Sequence, residues 1–118
     1  LTAAYLSITE VNRLLNAALE SEFPTLSFKG ELAQITRASS GHLYFTLKDA
    51  TGQASAVMWR GSAQYLNFLP KEGMEVLCEG KPNVYHVSGK LQLVVSRMYQ
   101  SGEGLLQKKF LELKAKLE

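Results

Sequence analysis

His42, Tyr44, Thr46 and Lys48 occupy alternate positions of the run SSGHLYFTLKD, residues 39–49, interleaved with Leu43, Phe45 and Leu47. A period of two places each set on its own face of a strand, so the apolar set packs on a core and the other set shares the opposite face. That face carries an imidazole, a phenol, a hydroxyl and an ammonium. Rings offer planes on which nucleobases stack, and an ammonium offers charge to a phosphate. The next run, Gln53–Arg60, extends the set. If Ala54, Ala56 and Met58 point inward, then Ser55, Val57 and Trp59 point outward, with Arg60 at the end. Arg37 leads into the turn before His42, while Tyr85, His86 and Lys90 flank a later one. Stacking rings bracketed by cations are what holding one nucleic-acid strand requires. A bland reading stands beside this for every residue. Tyr44 and Trp59 could be packed under a helix, and the histidines, Lys48, Arg60 and Lys90 could be ordinary solvated groups.

Other chemistries find less support. A metal site needs three or four converging ligands, and one cysteine with two histidines, lacking any CxxC or HxxxH, does not supply them. No GxxxxGK[ST] or GxGxxG string is present to cradle a phosphate, and Gly102-Glu103-Gly104 reads as a hinge before a helix. A nucleophile needs a base beside it and a group to orient that base. Ser40, His42 and Asp49 can be chosen to fill those roles, but such a free choice from common residues carries little weight. No cofactor and no catalysis are expected from these residues.

These groups sit in a chain of 118 residues, enough for one domain with one modest core. A hydrophobic fraction of 46% and a charged fraction of 20% are ordinary for a globular domain. The formal charge of +2 names no partner, although Pro24–Gln100 carries a surplus of three positive charges and the first helix is acidic through Glu10, Glu20 and Glu22. That balance is compatible with nucleic acid. No apolar run approaches the roughly 20 residues that span a bilayer, and no signal peptide is recognisable, so no membrane partner is expected. Cys78 stands alone, which excludes an internal disulfide and fits a reducing, cytoplasmic location. The chain begins at Leu1 and reads as part of a longer protein from which a leader could have been removed.

The elements that must position these residues follow from the pattern. Ser7 and Glu10 form a capping box, with Leu6 and Val11 placed as a hydrophobic staple. Ile8, Val11, Leu15, Ala18 and Leu19 continue at helical spacing, predicting a helix from Ile8 to about Ser21 that Pro24 stops from continuing. From Leu26 the period changes to two. The strands expected are Leu26–Arg37, with Gly30 as a bulge or close approach, then His42–Lys48, Gln53–Arg60, Met74–Tyr85 with Gly80 inside it, and Lys90–Tyr99. A short helix over Gly61–Phe68, capped by Ser62, separates the third strand from the fourth, and a final helix follows Gly104. This order predicts a mainly β protein, a five-stranded OB-fold Greek-key barrel with flanking helices, and an SH3-like barrel is the nearest competitor. The expected divisions are a helical extension over 1–23, the barrel over 24–101, and a helix over 102–118 leading to a missing downstream region.

With those elements in place, SITEVNRL at Ser7–Leu14, SGHLYFTLKD, AVMWRGSA, EGMEVLCEG and GEGLLQKKFLELKAKL together resemble, in order and over essentially the whole chain, the amino-terminal domain of the exonuclease VII large subunit. The resemblance implies an OB-fold domain ahead of a catalytic region and a long helical part that binds copies of a small subunit, in an assembly degrading single-stranded DNA without a strict need for metal. This chain would then be the DNA-binding part, with catalysis beyond Glu118 and the small subunit met through the absent downstream region. Single-stranded DNA is the expected partner, held by Arg37, His42, Tyr44, Thr46, Lys48, Trp59, Arg60, Tyr85 and Lys90. One departure stands out: where the family often has a loop of the type YEPRGDYQL, this chain has YHVSGKLQL at Tyr85–Leu93, with Ser88 at the arginine position and the basic charge shifted to Lys90. Leu106, Phe110, Leu113 and Leu117 form an a/d-type stripe through which the fragment could form a homodimer. Two alternatives stay open, an OB module for structured RNA and a protein-interaction scaffold.

Overall fold

The computed structural model describes residues 5–85 and 87–101. Its first element is helix α1, Ile8–Glu22, opened by the expected capping box. Ser7 Oγ accepts from the Glu10 N–H, and the Glu10 carboxylate accepts from the Ser7 N–H. That second bond holds the Glu10 carboxyl below the usual carboxylate range.

Five strands follow: β1 Leu26–Arg37, β2 Leu43–Lys48, β3 Gln53–Met58, β4 Glu75–Val84 and β5 Leu91–Gln100. They close a barrel in the order β1-β2-β3-β5-β4, with every pairing antiparallel except that of β3 and β5. The OB-type barrel read from the sequence is therefore the observed fold. Inside it, Leu32, Leu43, Phe45, Leu47, Ala56, Met58, Val76, Cys78, Val95 and Met98 form one buried cluster. The period-two reading places Leu43, Phe45, Leu47, Ala56 and Met58 in this cluster, whereas Ala54, read as core, is only half-buried and Val57, read as outward, is fully buried outside the cluster. Asp49 closes the β2–β3 hairpin by accepting from the Thr51 and Gly52 N–H groups, which holds its carboxyl low.

Some boundaries differ from expectation. Helix α2 runs over Arg60–Ala63, shorter and earlier than the predicted Gly61–Phe68, and its N-cap is Trp59 rather than Ser62. The bulge of β1 falls between Ala33 and Thr36, while Gly30 is a close-approach point, packed against Leu47 and the Lys48 carbonyl. Gly80 is the tighter case. A Cβ there would collide with the Val94 carbonyl, at the position where the β4–β5 register shifts. The predicted C-terminal helix, with its apolar stripe, lies outside the described residues.

Helix α1 attaches to β4 through polar rather than apolar residues. Ile8, Val11, Leu14 and Leu15 are exposed, Ile8 by 75%, whereas Asn12 is its one buried residue. Asn16 Nδ2 donates to the Val84 carbonyl at 2.9 Å and Asn16 Oδ1 accepts from the Val84 N–H at 2.7 Å. The reason lies in the register. β1 covers β4 only as far as Gly80, so among the described residues the side of β4 turned away from β5 has no strand beside it from Lys81 onward. An asparagine amide offers one donor and one acceptor, the pair a strand would have supplied. A Lys81–Glu20 ion pair at 3.0 Å lies on the same line. Among the described residues no helix is long and apolar enough to cross a membrane.

Candidate nucleic-acid interface

Register decides which side chains share the outer face. Directly opposed residues leave an antiparallel pair on the same side. Tyr44 is opposite Val57 on β3 and Thr36 on β1; Thr46 is opposite Ser55 and Ala33; Lys48 is opposite Gln53 and Glu31. All of these lie outside the barrel, because Leu43, Phe45 and Leu47 between them are buried within it. Val57 is fully buried although it belongs to this outer side and not to the core cluster. It is flanked across the sheet by Tyr44 and along its own strand by Trp59.

The aromatic residues meet at one end of this face. Tyr44 is 40% exposed and Trp59 36% exposed, with their ring centroids 6.4 Å apart and their planes 88° apart. His42 also meets Trp59, at 5.1 Å and 82°. T-shaped contact of this kind suits the ring quadrupoles, and both Tyr44 and Trp59 stay partly exposed. Neither ring is covered by α1, which packs on β4. His42 has a further task. Its Nδ1 accepts from the main-chain N–H of Arg60 at 2.9 Å, capping α2 where Trp59 can offer no side-chain acceptor. The stem of Arg60 lies over Gly41, whose φ of +96° suits glycine and where a Cβ would fall 2.7 Å from Arg60 Cγ.

Cations stand at both ends. Arg60 is at the start of β2, while Lys48 at its far end opens onto a 460 Å³ cleft shared with Lys29, Glu31, Asp49 and Glu75. Because β5 runs parallel to β3, the β4–β5 loop bearing Tyr85 and Lys90 stands at the Lys48 end of the face. In that loop Gly89 N–H donates to the Tyr85 carbonyl, Lys90 N–H to Ser88 Oγ, and Tyr85 N–H to the Lys90 carbonyl. Ser88 thus shapes the turn. The six residues of β2 separate the two ends by about 17 Å. Lys81–Glu20 is the only ion pair among the described residues, so Lys48, Arg60 and Lys90 face solvent without a carboxylate partner. Arg37 does not join them. Its register partner is the buried Leu43, so it leaves the sheet at the barrel mouth, on the side away from Tyr44.

Two residues of this face escaped sequence reading. Gln34 sits in the β1 bulge and accepts at Oε1 from the Thr46 hydroxyl at 3.0 Å. Its signal was present: Leu32 and Ile35 both pack on the core although they are three apart, so one extra residue must be accommodated between them. Gln92 precedes Leu93, the β5 partner of Ala56, and so falls on the outer side beside Ser55. Its Nε2 is buried with no hydrogen-bond partner among the described residues. Nothing in the local pattern marks it.

Residues 6–99 match the family model described as an OB-fold nucleic acid binding domain. Among curated proteins, the chain is 49% identical to the exodeoxyribonuclease 7 large subunit of Stenotrophomonas maltophilia over 113 residues, covering 96% of this chain and 26% of that protein. The namesake from Thiobacillus denitrificans is 44% identical, covering 96% and 25%. The chain therefore spans about a quarter of the length of these relatives. Among solved structures, a replication protein A heterotrimer bound to ssDNA superposes with a TM-score of 0.54 at 18% identity, covering 67% of this chain and 58% of the other. At that identity the likeness is one of fold.

Proposed function

From the premise that the chain belongs to the OB-fold nucleic-acid-binding domain family, we propose that its outer β2–β3 face binds single-stranded DNA with little sequence preference. The bound strand is delivered to the catalytic region of a longer exodeoxyribonuclease VII large subunit. The observation that carries this reading is the Tyr44–Trp59 pair, two half-exposed rings at right angles on one face, with unpaired cations at either end.

The geometry supports a division of labour among these residues. Bases stack on Tyr44 and Trp59, at about 1–3 kcal/mol per base. Arg60 takes phosphates at one end and Lys48 with Lys90 at the other, releasing counterions from the strand. Tyr85 borders the Lys90 end, and Arg37 reaches a strand only where it leaves the face by the barrel mouth. His42 holds Trp59 and Arg60 in place, and Thr46 holds Gln34. A duplex keeps its bases stacked on one another and offers these rings nothing. The small subunit implied by the relatives' name would join through the part of the longer protein beyond this chain, as would the chemistry of hydrolysis. A homodimer through the C-terminal segment belongs to the same set of proposals.

The test is the fluorescence of Trp59, the only tryptophan, during titration with a short oligothymidine at low and moderate salt. Duplex DNA and an RNA oligomer of equal length serve as controls. Quenching by the DNA strand that weakens with salt, is small for duplex and falls in Tyr44→Ala supports the reading. Stronger binding of RNA redirects it to an RNA module. Weak, salt-indifferent binding in anisotropy redirects it to a protein scaffold.

A further inference from the structure

Gln34 is the one non-glycine residue with positive φ, +51°, among those described. Side chains rarely adopt that region, and residues held there by their surroundings concentrate at functional sites. Here the surroundings do hold it. Its main-chain N–H donates to Glu72 Oε1 at 3.2 Å, from the turn before β4, and its side-chain Oε1 accepts from Thr46 Oγ1 at 3.0 Å. With Oε1 taken, the free end of the carboxamide is Nε2, which has no protein acceptor among the described residues and lies on an exposed residue. Thr46 is two residues beyond Tyr44 on the same face, so this amide borders the space that a base stacked on Tyr44 would fill.

We propose that Gln34 is a specificity-determining contact, whose Nε2–H group donates to a carbonyl oxygen on the edge of the base stacked at Tyr44. Thr46 acts as a positioning residue. By donating to Oε1 it turns the donor end of the amide outward. The inference rests on the face being the single-strand site, and it deepens that reading. Thymine carries such an oxygen at O4, whereas adenine presents an amino donor at the corresponding place, which the amide N–H opposes. The result is a modest bias toward keto bases laid over binding that is otherwise indifferent to sequence.

Anisotropy with labelled oligothymidine and oligodeoxyadenosine of equal length tests this, reading the ratio of the two affinities. Stacking within the free strands is the same for every variant and cancels in the comparison. In Gln34→Gly the thymidine affinity falls about fivefold, the yield of one hydrogen bond, while that for adenosine holds. Stability to urea is unchanged or higher in this variant, since glycine accepts the φ without strain. Gln34→Glu keeps the acceptor for Thr46 but removes the donor, and loses the preference too. Thr46→Ser retains it and Thr46→Val does not. An equal loss on both oligonucleotides, or no loss on either, overturns the inference while leaving the binding face standing. Failure of the unaltered protein to bind either strand overturns both readings.

Discussion

The main-chain N–H of Arg60 donates to Nδ1 of His42 across 2.9 Å, joining the first residue of α2 to the residue just before β2. An imidazole that accepts at Nδ1 carries its proton at Nε2 when neutral. The ring is fixed in one orientation, at right angles to Trp59 with the centroids 5.1 Å apart. His42 thus organises the aromatic end of the face.

Replacing His42 separates these duties. His42→Ala frees the Arg60 N–H and removes the ring packed against Trp59, and stability falls by about 1 kcal/mol, as for loss of a helix cap. Affinity for oligothymidine falls severalfold as Trp59 loosens. His42→Asn supplies an oxygen near the place of Nδ1, so it restores the stability and only part of the affinity. Urea unfolding and anisotropy, read on the same variants, check both halves.

The cations are distinguished by salt. Lys48→Gln, Arg60→Gln and Lys90→Gln each lower the magnitude of the slope of log K against log salt by about 0.7, one phosphate contact on a single strand. Arg37→Gln lowers it less, because its register with Leu43 turns it away from the face. Titrations at four or five salt concentrations resolve the difference.

Cys78 is 2% exposed, and burial pushes its thiol up to about 12 from an ordinary value of 9.0. The folded state therefore holds this proton more tightly than the unfolded state. The associated stability is fully present below pH 9, and is lost as pH rises through about 12, at a rate of at most about 1.4 kcal/mol per unit. Wild-type protein loses stability over that range faster than Cys78→Ala. At pH 8 iodoacetamide labels the native thiol slowly and the urea-unfolded thiol quickly.

Asn16→Ala strips Val84 of both its partners. Stability falls by about 1–3 kcal/mol, the cost of leaving partly buried polar groups unpaired. Affinity for oligothymidine at a temperature where the variant remains folded does not change, since α1 packs on β4 and not on the binding face. Thermal unfolding and anisotropy together make the check.

Much of this architecture was legible in the alternation of residues 42–48 and 53–58, because a half-buried strand prints its two environments on the sequence as a period of two. The outward set followed by subtraction. Three things did not follow. The span Leu32–Ile35 breaks the period, and without allowing for an inserted residue the bulge and Gln34 stay hidden. The bond from Arg60 to His42 joins a side chain to a main-chain group 18 residues away, and backbone partners leave no residue type to recognise. The apolar spacing of α1 marked a helix but not its seat, because the surface it meets is an unpaired stretch of strand, which selects for an amide. Periodicity reports contact with oil-like surfaces and is silent about contact with peptide groups.

The way α1 sits on β4 has a last consequence, for the protein in a crowded solution. Beyond Gly80 the outer side of β4 is a free edge, the kind of feature onto which another chain adds a strand. Tyr85 turns its N–H toward β5, so along this stretch the outward-pointing N–H groups belong to Val84 and to position 82. Position 82 is proline and has none; that of Val84 is taken by Asn16. No donor is left along Lys81–Val84 for a neighbour to grasp. A helix clipped on by Asn16 and a proline set beside it thus protect the barrel from templating its own aggregation.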